Sequence, residues 1–315
     1  MTAAAASRGE GHGSREGEAA APRAGDHAAP GTGAARRIAL FTHSDTRDTA
    51  EPVRRLMALA REHEVSVRVS AVEREKHGLA PEGEGLVTGD GADGVDLAVV
   101  LGGDGTILQA LRELAGSRVP VFAFNYGAIG FLSTVDHGDV DEGLRRVFSG
   151  DYDLFAIPAL VVELDGERRL GVNDISFHRR ANERVAQLAY SVGAQQLAKV
   201  RCDGLVASTA VGSTGYNLAN GGPVLAWGVA GYVVSFIAPH SLTARPLVVA
   251  TADALTVQNA GREAVDVTTD GRVVGALEPE AAVHVGFEDD QALLAQVPGS
   301  SFYRRLSEKF GRLAY

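Results

Sequence analysis

Residues 95–124 constrain this chain more than any other stretch. Val95-Asp96-Leu97-Ala98-Val99-Val100-Leu101 is a nearly unbroken apolar run of strand length. Ile107, Leu108, Leu111 and Leu114 then recur at helical spacing, and residues 119–124 are apolar again. A strand apolar on both faces, a one-sided helix and a second such strand form a βαβ unit. The same alternation precedes it: a strand over 38–41, a helix face of Val53, Leu56, Met57 and Ala60, and a strand over 65–69. This predicts a parallel sheet with right-handed crossovers and a ligand crevice at the carboxyl ends of its strands.

Past a helix expected around 139–148 the pattern changes. Residues 161–164 run into Asp165-Gly166, a hairpin signal. Further strand-like runs lie at 205–206, 232–237, 247–250, 264–267 and 281–285. The expected fold class is therefore α/β plus all-β: a Rossmann-like parallel-sheet N-terminal domain over 36–135 and a β-rich, sandwich-like domain over 136–295. Leu306 and Phe310 keep helical spacing, so a C-terminal helix within 296–315 is expected to pack back on the first domain.

Residues 1–35 are rich in Ala and Gly and contain no Val, Ile, Leu or aromatic residue, so nothing offsets the entropy of ordering them; a disordered tail is expected. It has no apolar core of a signal peptide. The whole chain, at 315 residues and 45% hydrophobic, is long and apolar enough for a substantial core. A net charge of -10 gives no footprint for nucleic acid or an anionic membrane. Cys202 is the sole cysteine, which excludes an internal disulfide and fits a reducing cytoplasm. No apolar run is long enough to span a bilayer as a helix, and a soluble protein is expected.

Chemistry concentrates in Leu101-Gly102-Gly103-Asp104-Gly105-Thr106, where a strand ends and a helix begins. Gly102, Gly103, Gly105 and Thr106 there suit a phosphate cradle, because glycine admits close backbone approach and a helix start presents free N–H groups. Asp104 is odd in such a cradle. It is either a helix cap or a group that orients an acceptor hydroxyl and takes its proton. The chain lacks G-x-x-x-x-G-K-[ST], and it lacks G-x-G-x-x-G after its first strand, which disfavours P-loop enzymes and standard Rossmann dehydrogenases. A second segment, residues 203–223, begins Asp203-Gly204 and holds Gly212-Ser213-Thr214-Gly215-Tyr216, dense in small and hydroxyl residues, with an aromatic able to stack on a base. Asn173-Asp174 pairs a donor-acceptor amide with a carboxylate that can accept from hydroxyls.

Several residues carry weaker readings. His240 and His178 suit structural hydrogen bonding. Of Arg179, Arg180 and Arg184, all able to neutralise a pyrophosphate, Arg184 is the first choice. Cys202 reads as a buried thiol and Trp227 as packing; no zinc constellation is present. Asp270-Gly271-Arg272 reads first as a hairpin turn.

The motifs LGGDGTIL (101–108), NYGAIGFL (125–132), Asn173-Asp174, DGLVASTAVGSTGYNLANGGP (203–223) and PHSLTARPLVV (239–249), in this order, resemble those of the NAD kinase family. The GGDG turn alone is shared with lipid kinases and phosphofructokinases. The resemblance implies that 136–295 is the NAD-binding domain and that the 2′-hydroxyl of the adenosine ribose of NAD is phosphorylated between the two domains. ATP is then the donor, with Mg2+ carried by its phosphates rather than by direct protein ligands. It implies Asp104 as base; Gly105, Asn173, Asp174, Arg201, Asp203 and Gly212 to Tyr216 as NAD-site residues; Arg272 as a weaker candidate; and a homodimer or homotetramer. Three departures stand out: Asp174 where the family usually has Glu, Ala210-Val211 for Pro-Thr, and Gly215 for Ala. They bear on the choice between NAD and NADH more than on the reaction. A lipid or other nucleoside kinase sharing the GGDG turn, and a non-catalytic NAD sensor, are the alternative readings.

Overall fold

The computed structural model describes residues 29–30, 33–79, 85–127 and 130–311. Residues 1–28 and 31–32 of the expected tail lie outside the described residues. Within 29–35, however, β1 (Ala29–Pro30) pairs antiparallel with Asp153 and Leu154, and Ala35 is buried. A backbone ladder needs no apolar side chains, which is why composition did not reveal it.

β2 (Arg37–Thr42), α1 (Ala50–Glu62), β3 (Ser66–Val69), α2 (Ala71–Lys76), β4 (Leu86–Thr88), β5 (Leu97–Gly102), α3 (Asp104–Glu113) and β6 (Pro120–Asn125) follow. The five strands from β2 to β6 are parallel, in the order β4-β3-β2-β5-β6. Every residue of β5 and β6 is buried, and the pleat divides them. Leu97, Val99 and Leu101 face α1 residues Val53, Leu56 and Met57, whereas Ala98 and Val100 face Ile107 and Leu111 of α3.

β7 (Val135–Asp136) and α4 (Val140–Ser149) come next. Leu144, Val147 and Phe148 of α4, with Tyr152, pack into the α1 side of the parallel sheet. The first domain thus continues to about Tyr152, past the boundary at 135 expected from the sequence, because the apolar face of α4 has its partner surface there.

The second domain comprises β8 (Asp153–Leu164), β9 (Glu167–Gly171), β10 (Asp174–Arg179), β11 (Ala186–Val192), β12 (Gln195–Cys202), β13 (Gly204–Ser208), the short α5 (Tyr216–Ala219), β14 (Gly231–Ile237), β15 (Leu247–Ala250), β16 (Leu255–Asn259), β17 (Val265–Thr269), β18 (Arg272–Leu277) and β19 (Ala282–Gln296). One layer is the antiparallel sheet β15-β14-β13-β10-β17-β18. The other is β12-β11-β16-β19 with β8 and β9. Phe177, Leu205 and Tyr232 of the first layer meet Leu160, Leu188, Val257 and Val285 of the second in one core, so the expected sandwich is present.

β19 belongs to both domains. It pairs antiparallel with β16 and β8, shifts register between Glu288 and Ala292, and then runs parallel to β6 at Leu293 and Leu294. α6 (Phe302–Phe310) returns to the first domain: Phe302 joins Ile107, Leu111, Val172, Val211 and Trp227 in a core shared by both halves. Among the described residues no helix is long and apolar enough to cross a membrane.

Candidate active site

β5 ends at Gly102 and α3 begins at Asp104, with Gly103 between them as N-cap. The glycines are there for close approach. A Cβ on Gly102 would stand 2.6 Å from Thr106 Oγ1, and one on Gly127 2.9 Å from Gly103 Cα, so two loops touch backbone to backbone. Gly105 faces open space, leaving room for a group the size of a phosphate. Asp104 makes no capping bond. Its Oδ2 instead accepts from Phe131 N–H at 2.8 Å and its Oδ1 from Leu132 N–H at 3.2 Å, so the carboxylate is turned away from its own helix onto the 125–132 motif.

The far side of that motif is held by α6. Arg305 donates to the carbonyls of Phe131 (3.0 Å) and Ser133, and Lys309 Nζ sits 5.1 Å over the Phe131 ring. Burial lowers the Arg305 pKa to about 10 and lowers that of Lys309, while the nearby Asp104 charge opposes both shifts. A cavity of about 320 Å³ opens here, lined in part by Gly130, Asp136, Arg305 and Lys309. The contribution of α6 was not seen in the sequence beyond its packing.

Asn173 and Asp174 stand at the start of β10. The Asn173 carbonyl accepts from Thr209 N–H at 2.9 Å and Ser208 Oγ at 3.1 Å. A Cβ on Gly212 would run into the Asn173 backbone, which explains that glycine. Asn173 Oδ1 is buried without a hydrogen-bond partner, and Gly215 faces Asn173 Nδ2, with 3.9 Å to a built Cβ. Asp174 is 5% exposed, and no donor among the described residues reaches its carboxylate. Burial, then the charge of Asp270, pushes its pKa up to about 7. A buried amide oxygen and a buried carboxylate left open are what a polar ligand supplies with partners.

Tyr216 is half-exposed beside them, its ring stacked on His178 at 5.6 Å. Burial raises the Tyr216 pKa first and the Asp174 charge adds to it, so phenol and carboxylate are neighbours. The structure thus brings Asn173, Asp174, Gly212, Gly215 and Tyr216 together. Ser213 is turned inward: its hydroxyl donates to the Ala210 carbonyl at 2.7 Å and accepts from Leu225 N–H at 2.9 Å. Thr214 Oγ1 bonds the Val211 carbonyl at 3.5 Å. These two hydroxyls shape the turn. Val211 is a core residue, so its departure from the family pattern is a packing change.

The arginines sort themselves by pairing. Arg179 binds Asp203 at 2.6 Å and Arg180 binds Asp266 at 2.7 Å. Arg184 and Arg201 are exposed, and neither guanidinium has a partner among the described residues. Arg201 lies on β12, in the layer opposite Asp174, paired with Gln187 of β11, and its carbonyl accepts from His240 N–H. The most informative residue missed by the sequence reading is Asp270, hidden by its Asp-Gly turn signature. Cys202 is buried, as expected, and Trp227 packs against Phe155 and Phe302.

Both halves of the chain match known proteins. Residues 48–152 match the model of the ATP-NAD kinase N-terminal domain, and residues 172–295 that of the ATP-NAD kinase C-terminal domain. An NAD kinase of Gemmatimonas aurantiaca is 32% identical over 76% of this chain and 85% of its own length. One of Symbiobacterium thermophilum is 36% identical over 68% and 78%. Among solved structures, a yeast NADH kinase complexed with NADH superposes with a TM-score of 0.79 at 24% identity, over 90% of this chain and 89% of its own. An Archaeoglobus fulgidus NAD kinase in complex with ATP gives 0.68 at 22% identity, over 88% and 98%. At those identities the two structures speak for the fold alone. With both domain models matched in order and relatives above 30% identity across most of its length, this chain is a kinase that belongs to the NAD kinase family.

Proposed function

We propose that this kinase transfers the γ-phosphoryl group of ATP to the 2′-hydroxyl of the adenosine ribose of NAD, giving NADP and ADP. The observation that carries this reading is the Asp104 carboxylate, turned off its helix and gripped by two backbone N–H groups at the mouth of the parallel-sheet crevice. Each oxygen has one bond from Phe131 or Leu132 and retains a further lone pair, with which it accepts the hydroxyl proton. The open backbone from Gly102 to Thr106 receives the phosphoryl oxygens. Asn173 donates to and accepts from the nucleoside through its amide, Asp174 accepts from its hydroxyls, and Tyr216 covers its base. The NAD kinase relatives above 30% identity favour NAD as acceptor, and the two ATP-NAD kinase domain models favour ATP as donor.

Magnesium is assigned to the phosphates of the donor. Among the described residues no group of three or more His, Cys, Asp or Glu side chains stands ready for a metal. Held by the donor's phosphates, the ion would supply charge neutralisation there. Arg184 remains the choice for the NAD pyrophosphate. Arg201 and Asp203 are assigned to the dinucleotide site, in a homo-oligomer whose neighbouring subunit completes it, in the cytoplasm.

The test is to incubate the protein with magnesium-ATP and NAD and follow NADP with an NADP-specific dehydrogenase. NADP formation that is lost in Asp104→Asn, with the variant folded and binding NAD, is the expected result. Near-normal turnover of that variant would remove Asp104 from its role, and lipid phosphorylation without NADP would overturn the reading.

A further inference from the structure

We infer that Asp270 and Arg112 are positioning residues for the nucleotide site: the pair ties α3, whose first residue is Asp104, to the backbone of Asn173-Asp174 and sets the charge that Asp174 faces. This inference rests on the proposed function.

Asp270 is at a turn between β17 and β18, with φ 46°. A turn of that kind is satisfied by Asn or Asp pointing to solvent. Here the side chain is 0% exposed. Its Oδ1 accepts from the N–H groups of Asn173 (2.7 Å) and Asp174 (3.2 Å), and its Oδ2 from Val172 N–H at 3.1 Å. In return, Asp270 N–H donates to the Asp174 carbonyl at 3.0 Å. The countercharge is Arg112 of α3, whose Nη1 lies 3.6 Å from Oδ2. A buried carboxylate is costly to retain where a neutral residue would turn the chain equally well. Its charge therefore serves what lies around it, and what lies around it is the Asn173-Asp174 segment.

The second consequence is electrostatic. Asp174 has the Asp270 charge beside it, Arg112 and Arg272 behind that, and the Tyr216 phenol on the α5 side, with His178 and Asp203 bordering Tyr216. Asp174 accepts hydrogen bonds from ribose hydroxyls at full capacity only when ionised. Because burial and Asp270 hold its pKa near 7, NAD affinity is full above neutrality and is lost as the pH falls through about 7. Removing the Asp270 charge favours the ionised form and moves that midpoint down. Removing Arg112 leaves Asp270 uncompensated and moves the midpoint up. A pair that merely held the fold would weaken binding at every pH without displacing the midpoint in opposite directions.

The experiment is calorimetric titration of NAD, without donor, into the full-length protein across neutral pH. Wild type, Asp270→Asn, Arg112→Met and Arg112→Lys are compared. The expected midpoints shift by about one pH unit, downward for Asp270→Asn and upward for Arg112→Met, with Arg112→Lys near wild type. If Asp270→Asn does not fold, the two Arg112 variants carry the test alone. An unmoved midpoint in Arg112→Met, or the same shift in Arg112→Lys, overturns the inference while wild-type NADP formation leaves the proposed function standing. A wild type that binds no NAD overturns both.

Discussion

Gly130 lies against Asp104 so closely that a Cβ there would overlap the carboxylate Oδ1 and stand 3.0 Å from Cγ. The neighbour that would have to give way is the proposed base itself, held by Phe131 and Leu132 N–H groups from the same loop. Gly130→Ala is therefore expected to displace the carboxylate while leaving the nucleoside pocket on the second domain intact. Turnover should fall by about 100-fold, the loss typical of a misplaced catalytic group, with NAD affinity within about twofold of wild type. Steady-state kinetics beside calorimetric NAD binding separate the two; a parallel loss of affinity would place Gly130 in the pocket instead.

Arg305 grips the carbonyls of the loop whose N–H groups grip Asp104. Replacing it with Met strands those buried carbonyls, at about 1–3 kcal/mol each, and frees the loop. The expected outcome for Arg305→Met is a lowered unfolding midpoint and a kcat reduced more than the KM for NAD rises. An unchanged kcat in the folded variant would show that α6 contributes packing only.

A third expectation concerns stability. Glu73 of α2 is buried under Thr42, accepting from its N–H at 2.9 Å and its hydroxyl at 2.7 Å, and from Lys76 at 2.9 Å. His77 Nε2 lies 2.8 Å from the same hydroxyl, and burial lowers its pKa despite the Glu73 charge. The folded state then binds the proton less readily than the unfolded chain, so this group's contribution is full above its ordinary pKa of 6.5 and is lost as the pH falls below it. Urea unfolding on either side of pH 6.5 should show a smaller loss of stability on acidification in His77→Gln than in wild type. Equal losses would exclude His77 as the sensor.

The parallel half of the fold was legible because strands buried on both faces, such as β5 and β6, read as unbroken apolar runs between glycines. In the sandwich, the runs at 161–164, 205–206, 232–237 and 247–250 fall on strands, and those at 264–267 and 281–285 overlap strands that begin one residue later. β12 went unread because its exposed face carries Gln195, Gln196, Lys199 and Arg201, which resemble a solvated loop. The full length of β19 was hidden by Glu288-Asp289-Asp290-Gln291 in its middle, where the ladder shifts register. At the site, Asp104 was legible from a carboxylate misplaced in a phosphate turn. Asp270 and Arg112 were not, because a turn signature and a helix-end cation each have an ordinary local explanation, and only their meeting across 158 positions of sequence gives them another.

β19 gives the molecule a shared beam. A ladder that starts in the sandwich and ends beside β6 ties the halves together, so a first domain cut from the rest of the chain loses the strand that flanks β6. Melting should accordingly be a single event for both halves, and the crevice between them is set by the fold before any nucleotide arrives.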